Sequence, residues 1–189
     1  MQIERESQSA TEGRGVEAGR RNTRTGGVGR VVAVIEARLR EGGVPAALEM
    51  LNARTRFRFT GIYRAEPPLL RNVFLVDREN PTVRVCGAVC PLDETYCAIT
   101  CAREAAFMTH DATRDARLGD HPARDSVISY AGVPLRLAGG RAWGTLCHFD
   151  LRPRLLPRGE LVLLEAAAPI FVRWLLADSP TPRLPSPRP

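Results

Sequence analysis

The stretch YAGVPLRLAGGRAWGTLCHFD, residues 130–150, carries the strongest structural signal in the chain. Two apolar runs, residues 131–137 and 142–151, flank Ala138-Gly139-Gly140-Arg141. Strand-type runs joined by a short glycine turn pair antiparallel, so the stretch predicts a β-hairpin. Successive side chains of a strand point to opposite faces of the sheet. In the second strand, Trp143, Thr145, Cys147 and Phe149 therefore share one face, and Gly144, Leu146, His148 and Asp150 share the other. Cys147, His148 and Asp150 are the residue types of a nucleophile, a base and its orienter. The alternation separates Cys147 from His148, so the two cannot act on one metal or one substrate atom while the strand stays regular. His148 and Asp150 keep a common face, about 6–7 Å apart at Cβ from the strand rise, within reach of a direct or water-bridged contact. His148 is expected as a strand residue packed under a covering layer and satisfied by backbone or water.

Other segments extend the pattern in both directions. Residues 56–64 alternate, with Phe57, Phe59 and Tyr63 on one side and Arg56, Arg58, Thr60 and Arg64 on the other, which predicts a half-buried strand with a wet face. Residues 72–77 read as a second strand and 83–89 as a third. Asp93 is a candidate N-cap for a helix through residues 95–101. Residues 107–110 predict a short strand, and residues 111–124, rich in Asp, Arg, Gly and Pro, a long loop with one helical turn. Nearer the N-terminus, Val31, Val34, Ile35 and Leu39 fall at helical spacing. Gly42-Gly43 ends that helix, and Pro45 sits in the first turn of a second, where proline is tolerated. Residues 158–177 predict a long apolar helix that Pro169 kinks.

Hairpin-joined strands with helices at both ends predict an α+β fold around an antiparallel sheet. Residues 1–29 are polar, glycine-rich and arginine-rich, and are expected to be disordered. Residues 30–177 form one domain, and the proline-rich tail, 178–189, is expected to be extended and solvated.

A hydrophobic fraction of 44% over 189 residues suffices for one core, and only 6% aromatic content makes that core mostly aliphatic. No run of about 18 apolar residues predicts a membrane span, and the N-terminal residues lack the apolar stretch of a secretory signal. A cytoplasmic protein with no membrane partner is expected. All 27 basic residues are Arg; the absence of Lys excludes Schiff-base, P-loop and kinase-type lysine chemistry. The formal charge of +6 is not concentrated. Residues 1–30 hold six Arg against four Glu and residues 178–189 two Arg against one Asp, leaving 19 Arg against 16 acidic residues between them. These arginines are scattered, so nucleic acid is not an expected partner.

Five Cys in a cytoplasmic chain are expected as reduced thiols, and the odd number leaves at least one unpaired. Cys86, Cys90, Cys97 and Cys101 are spaced C-x3-C-x6-C-x3-C, whereas zinc ribbons and knuckles use C-x2-C turns, so no metal site is expected. On a helix, Cys97 and Cys101 share one face, either as a thiol pair or as small apolar residues packed inward. His110-Asp111 and Asp120-His121, in or beside the loop, are candidates for ligand contacts or helix caps. Gly139-Gly140 precedes a strand, not a helix N-terminus, and so is a turn device and not a phosphate loop.

At residues 130–150 the sequence resembles a GAF domain: a Tyr-x-Gly-Val-Pro-Leu strand, a glycine turn, then a Gly-Thr-Leu-Cys strand ending in Asp. Pro91-Leu92, Tyr96-Cys97, Thr109-His110-Asp111-Ala112 and Asp115-Ala116-Arg117 fit the same resemblance, which spans about residues 31–177. The resemblance implies a six-stranded antiparallel sheet between two helical layers. The terminal helices would cover one face; the middle helix and the loop before residue 130 would close a pocket on the other. Members of the family bind cyclic nucleotides, haem, bilins, iron–sulfur centres or small metabolites, and many only dimerise. The implied role is a non-catalytic, small-molecule-sensing module in signal transduction, acting through a homodimer or a partner signalling protein. The expected ligand-binding residues are Phe74, Cys97, Asp111, Tyr130, Thr145 and Cys147. The residues name no cofactor. Bilin-binding members carry their attachment Cys on a pocket-side helix, commonly before His; here Cys-His lies in a strand and Cys97 precedes Ala98. The alternative is a cysteine-based redox sensor or reductase, like the members that reduce free methionine sulfoxide, using Cys97, Cys101 or Cys147. Dimerisation alone, through the apolar helices of residues 31–40 and 158–177, is the remaining reading.

Overall fold

The computed structural model describes residues 13–82 and 87–177, with side chains of the first helix from residue 27 onward. Helix α1 (Gly13–Ala53) opens inside the segment expected to be disordered. Residues 1–12, residues 83–86 of the expected third strand, Cys86 and the tail lie outside the described residues. The helix breaks where the glycine pair falls. Gly43 has φ 68° and ψ −164°, a backbone open to glycine and closed to residues with a Cβ. Pro45 follows in the first turn of the resumed helix, so α1 consists of two helical segments meeting at a kink.

Strands β1 (Phe59–Glu66) and β2 (Leu69–Asp77) form a hairpin, and β3 (Val89–Pro91) pairs with the outer side of β2. Helix α2 (Tyr96–Arg103) follows, then the short strand β4 (Phe107–Thr109). Strands β5 (Ser129–Arg136) and β6 (Ala142–Asp150) form the hairpin read from the sequence, and helix α3 (Glu160–Ala177) closes the described chain. All neighbouring strands are antiparallel in the order β3-β2-β1-β6-β5-β4. The expected α+β fold is therefore present, with β6 and β1 at the centre of the sheet.

Each face of the sheet is covered. On one face, Ile35, Leu39, Leu48 and Leu51 of α1 and Leu164, Ala167 and Phe171 of α3 pack on Ile62, Val133, Leu135 and Leu146. On the other, Tyr96 and Cys97 of α2, with Phe107, Leu118 and Ala123, pack on Leu70, Tyr130 and Cys147. This double cover corrects the expected wet face of β1, because Thr60 is fully buried beneath the terminal helices. A hydroxyl is tolerated there because it has two partners, Asn52 Nδ2 at 2.8 Å and His148 Nδ1 at 2.7 Å.

The alternation in β6 holds from Thr145 to Phe149: Leu146 joins the helix-side core, and Cys147 and Phe149 the opposite one. Trp143 does not follow it. Leu135 pairs with Gly144 and Arg136 with Ala142, so Trp143 is the extra residue of a β-bulge and packs against the helix-side core. The cap of α2 also differs from expectation: Thr95, not Asp93, holds the N-cap position. At the other end of α2, Glu104 adopts a left-handed φ of 45° and its amide donates to Cys101 O. Arg136 of β5 steadies this turn through the Glu104 carboxylate at 3.1 Å.

Candidate functional site

A cavity of about 260 Å³ lies between α2, the segment preceding β5, and the sheet beneath them. The helix and its approach contribute Glu94, Thr95, Tyr96 and Cys97; the covering segment contributes Ala123, Ser126 and Val127. Tyr63, Leu70, Cys90, Tyr130, Cys147 and Phe149 form the sheet side. The walls are largely aromatic and aliphatic with a few polar groups, the usual make-up of a small-molecule site.

The covering segment is held by its own side chains. Its three 3₁₀ turns are capped by Asp111, Asp115 and His121, each accepting from the backbone amide two residues on at 3.1 Å. Asp111 also takes the Thr113 hydroxyl at 2.6 Å, and Asp115 holds Arg117 at 2.6 Å. That guanidinium keeps the Asp115 carboxyl well below the usual carboxylate range. The loop reading of residues 111–124 thus becomes three capped turns instead of one. Asp111 and His121 are accounted for as caps, and His110 Nδ1 lies 3.2 Å from the Arg154 carbonyl.

Two thiols meet at the floor of the cavity. Cys97 comes down from α2 and Cys147 up from β6, 4% and 1% exposed. Cys97 Sγ gathers donors: Thr145 Oγ1 at 3.1 Å, the Tyr130 hydroxyl at 3.6 Å, and the Cys147 thiol. Hydrogen bonds from Cys147 foremost, then Thr145 and Tyr130, hold Cys97 below the ordinary thiol value against the opposing effect of burial. Cys147, the donor of the pair, is pushed well above its ordinary value by that same bond and by burial. Burial likewise raises Tyr130 and Tyr63 well above an ordinary phenol and Tyr96 to about 12, so all three stay protonated near neutral pH. Cys101, one helical turn beyond Cys97, does not border the cavity; burial raises its thiol to about 11.

Tyr130 reaches Cys97 by lying along its own strand. Its ring rests over Gly132, two residues on and on the same face, where a Cβ would collide with the phenol. The Tyr-x-Gly spacing is therefore a steric requirement of this pocket wall.

The expected site residues divide accordingly. Cys97, Tyr130 and Cys147 border the cavity, and Thr145 is fully buried beneath it, bonded to Cys97. Phe74 does not join them. A bulge in the β1–β2 pairing sets Phe74 opposite Ile62 and Asn72 opposite Tyr63, and Phe74 packs on the helix-side core. Asp111 caps a turn and is not among the residues lining the cavity. Sequence reasoning missed Tyr63, Tyr96 and Phe149. Tyr63 and Phe149 were already placed on the faces that prove to be pocket-side, which was the available signal. Behind Tyr63, Asn72 is 4% exposed and its side chain bonds the Tyr63 hydroxyl.

His148 lies on the opposite face, fully buried, with Phe57 beside it at a centroid distance of 5.9 Å. Burial, and then the cations of Arg54 and Arg78, push its imidazole down to about 3. Asp150 does not serve it. The Asp150 oxygens accept from the amides of Arg58 and Arg152, both at 3.0 Å, and from Arg154 Nε at 2.7 Å. His148 Nε2 has no hydrogen-bond partner among the described residues. Also among the described residues, no cluster of three or more His, Cys, Asp or Glu is arranged to hold a metal ion, and no helix is long and apolar enough to cross a membrane.

A six-stranded antiparallel sheet with terminal helices on one face and a cavity closed by a helix and loop on the other defines a small α+β domain class. The GAF domain family model matches residues 24–171, and the chain belongs to that family. The chain is 33% identical over 91 residues to a cyclic di-GMP phosphodiesterase of Pseudomonas aeruginosa. That match covers 46% of this chain and 15% of the phosphodiesterase, so it spans a small part of the relative's length. The GAF domain of an Acinetobacter phosphoenolpyruvate-protein phosphotransferase superposes with a TM-score of 0.63 at 12% identity, over 79% of this chain and 93% of that one. A free methionine-R-sulfoxide reductase from Neisseria meningitidis, in complex with its substrate, gives 0.57 at 16% identity, over 79% and 86%. At these identities the structural likeness concerns the fold alone.

Proposed function

We propose that the chain is a non-catalytic, small-molecule-sensing module that acts through a second copy of itself or a signalling partner. The observation that carries this reading is the cavity of about 260 Å³ under α2. It has apolar walls, a few polar groups and no base placed beside a nucleophile. Cys147, the residue nearest a nucleophile–base motif in sequence, is separated from His148 by the thickness of the sheet. Val34, Val162 and Leu176, 47%, 54% and 47% exposed on α1 and α3, support a partner or second copy on the helix side. A ligand that binds the folded state raises its melting temperature by linkage. A thermal-shift screen against a metabolite panel, with native mass spectrometry of the purified protein, tests the proposal. Absence of any shift together with absence of a co-purified small molecule would refute it.

The hydrogen-bonded Cys97–Cys147 pair favours a second reading, a thiol redox module. Hydrogen peroxide would take two electrons and the two thiol protons from the pair, joining the two sulfurs in a disulfide and leaving as two waters. A sulfoxide would leave as the thioether and one water. Cys97→Ser, Cys101→Ser and Cys147→Ser variants, assayed for peroxide consumption and methionine sulfoxide reduction, test it. Unchanged rates in all three sink it.

A further inference from the structure

The lining of the cavity has a distinct chemistry. Among the described residues, no arginine and no histidine borders it. Among the described residues, the one carboxylate on its rim is that of Glu94, which is exposed. Four aromatic rings supply the walls in two edge-to-face pairs: Tyr63 with Phe149 at 6.2 Å between centroids, and Tyr96 with Tyr130 at 5.6 Å. Aromatic faces carry the negative side of the ring quadrupole. The Cys97 sulfur adds an acceptor at the floor. Ring faces, sulfur and carboxylate all present electron density. An anion entering this space would shed its hydration and meet no cationic lining residue among the described ones, which is costly. A cation over ring faces is attracted, the more so as water is excluded.

We propose that this cavity takes a small organic cation of the alkylammonium type, held over the rings of Tyr63, Tyr96, Tyr130 and Phe149 with Glu94 at the rim. The inference rests on reading the cavity as a ligand site and names the chemical class of the ligand. The volume equals about nine waters at the liquid packing of about 30 Å³ each, room for a cation of choline size.

The test is isothermal titration of the full chain with choline, tetramethylammonium, and 3,3-dimethylbutan-1-ol, the uncharged isostere of choline. Cyclic GMP and cyclic di-GMP serve as anionic probes. Choline is expected to bind at least tenfold more tightly than its isostere. Glu94→Gln, at an exposed position, is expected to weaken choline about threefold while leaving the melting temperature of the free protein unchanged. Tyr63→Phe keeps a ring face and retains choline binding; Tyr63→Leu loses about tenfold. Equal affinity for choline and its isostere overturns the inference, and so does binding of an anion with none of the cations; both outcomes leave the ligand-module reading standing. Binding of no cation overturns it in any case. If no probe binds and no small molecule co-purifies, the ligand-module reading falls with it.

Discussion

Replacing His148 with Gln should make the protein less sensitive to mild acid. The imidazole is fully buried and held down to about 3, whereas a histidine in the unfolded chain titrates near about 6.5. Between those values the unfolded state binds a proton that the folded state refuses, so stability falls as pH falls through this window. The size follows from linkage: each pH unit inside the window costs about 1.4 kcal/mol. From pH 7 to pH 5 the cost is about 2 kcal/mol, or about thirtyfold in the folding equilibrium constant. The structure isolates this interval. Asp77 and Asp115, whose carboxyls are held low by Arg58 and Arg117, contribute stability that is lost only as pH falls below the ordinary carboxylate range. His121, also lowered by burial, acts in the same direction as His148 and is common to both proteins compared. Gln offers both a donor and an acceptor to the Thr60 hydroxyl, which lies 2.7 Å from Nδ1, and it does not titrate. Urea unfolding of wild type and His148→Gln at pH 7 and pH 5 provides the assay. The variant should lose about 2 kcal/mol less than wild type over that interval. Equal losses in the two proteins would show that the buried imidazole is not what acid attacks.

Three further outcomes can be checked by similar means. Arg54→Leu removes the partner of Glu160, whose side chain is 1% exposed and lies 3.1 Å from the guanidinium. The stranded buried carboxylate should cost about 3–5 kcal/mol in urea unfolding, and adding Glu160→Leu should recover most of it. Gly132→Ala forces the Tyr130 ring off its strand, with an expected loss of about 1–3 kcal/mol; a thermal melt unchanged within error contradicts the steric account. In native-state alkylation read by mass spectrometry, the exposed Cys90 should be modified well ahead of the buried Cys97 and Cys147, and faster labelling of Cys147 would contradict its burial.

The hairpin of residues 130–150 was legible because two local signals agree there, glycine turn chemistry and strict alternation. Its alternation also separated Cys147 from His148 before any contact was known. The same rule misplaced Trp143, because it is itself the extra residue of a bulge, which changes its face without changing the apolar pattern. Phe74, expected at the pocket through the family resemblance, lies beside a slip in the β1–β2 register that no apolar pattern marks. Thr60 was assigned to solvent because a hydroxyl among arginines reads as a wet face. Its burial depends on Asn52, eight residues away, and His148, 88 residues away, and no local pattern carries that information. Cys97, Tyr130 and Cys147 were placed together only through the family resemblance. The convergence of Thr145, Tyr130 and Cys147 on one sulfur joins α2, β5 and β6, which no spacing along the chain encodes. Asp111 shows the converse limit, since a residue type suited to ligand contact is equally suited to capping a turn.

Strand β6 is a partition one peptide thick. Thr145 and Cys147 belong to the compartment under α2, while Leu146 and His148 belong to the one under α1 and α3. The strand lies inside the sheet, hydrogen-bonded to β1 and β5 on its two sides. It therefore cannot give way at one face by slipping past a free edge. In a close-packed interior, a shift of this backbone repositions neighbours on both sides at once. The floor of the cavity and the seat of the terminal helices are thus the two sides of a single wall.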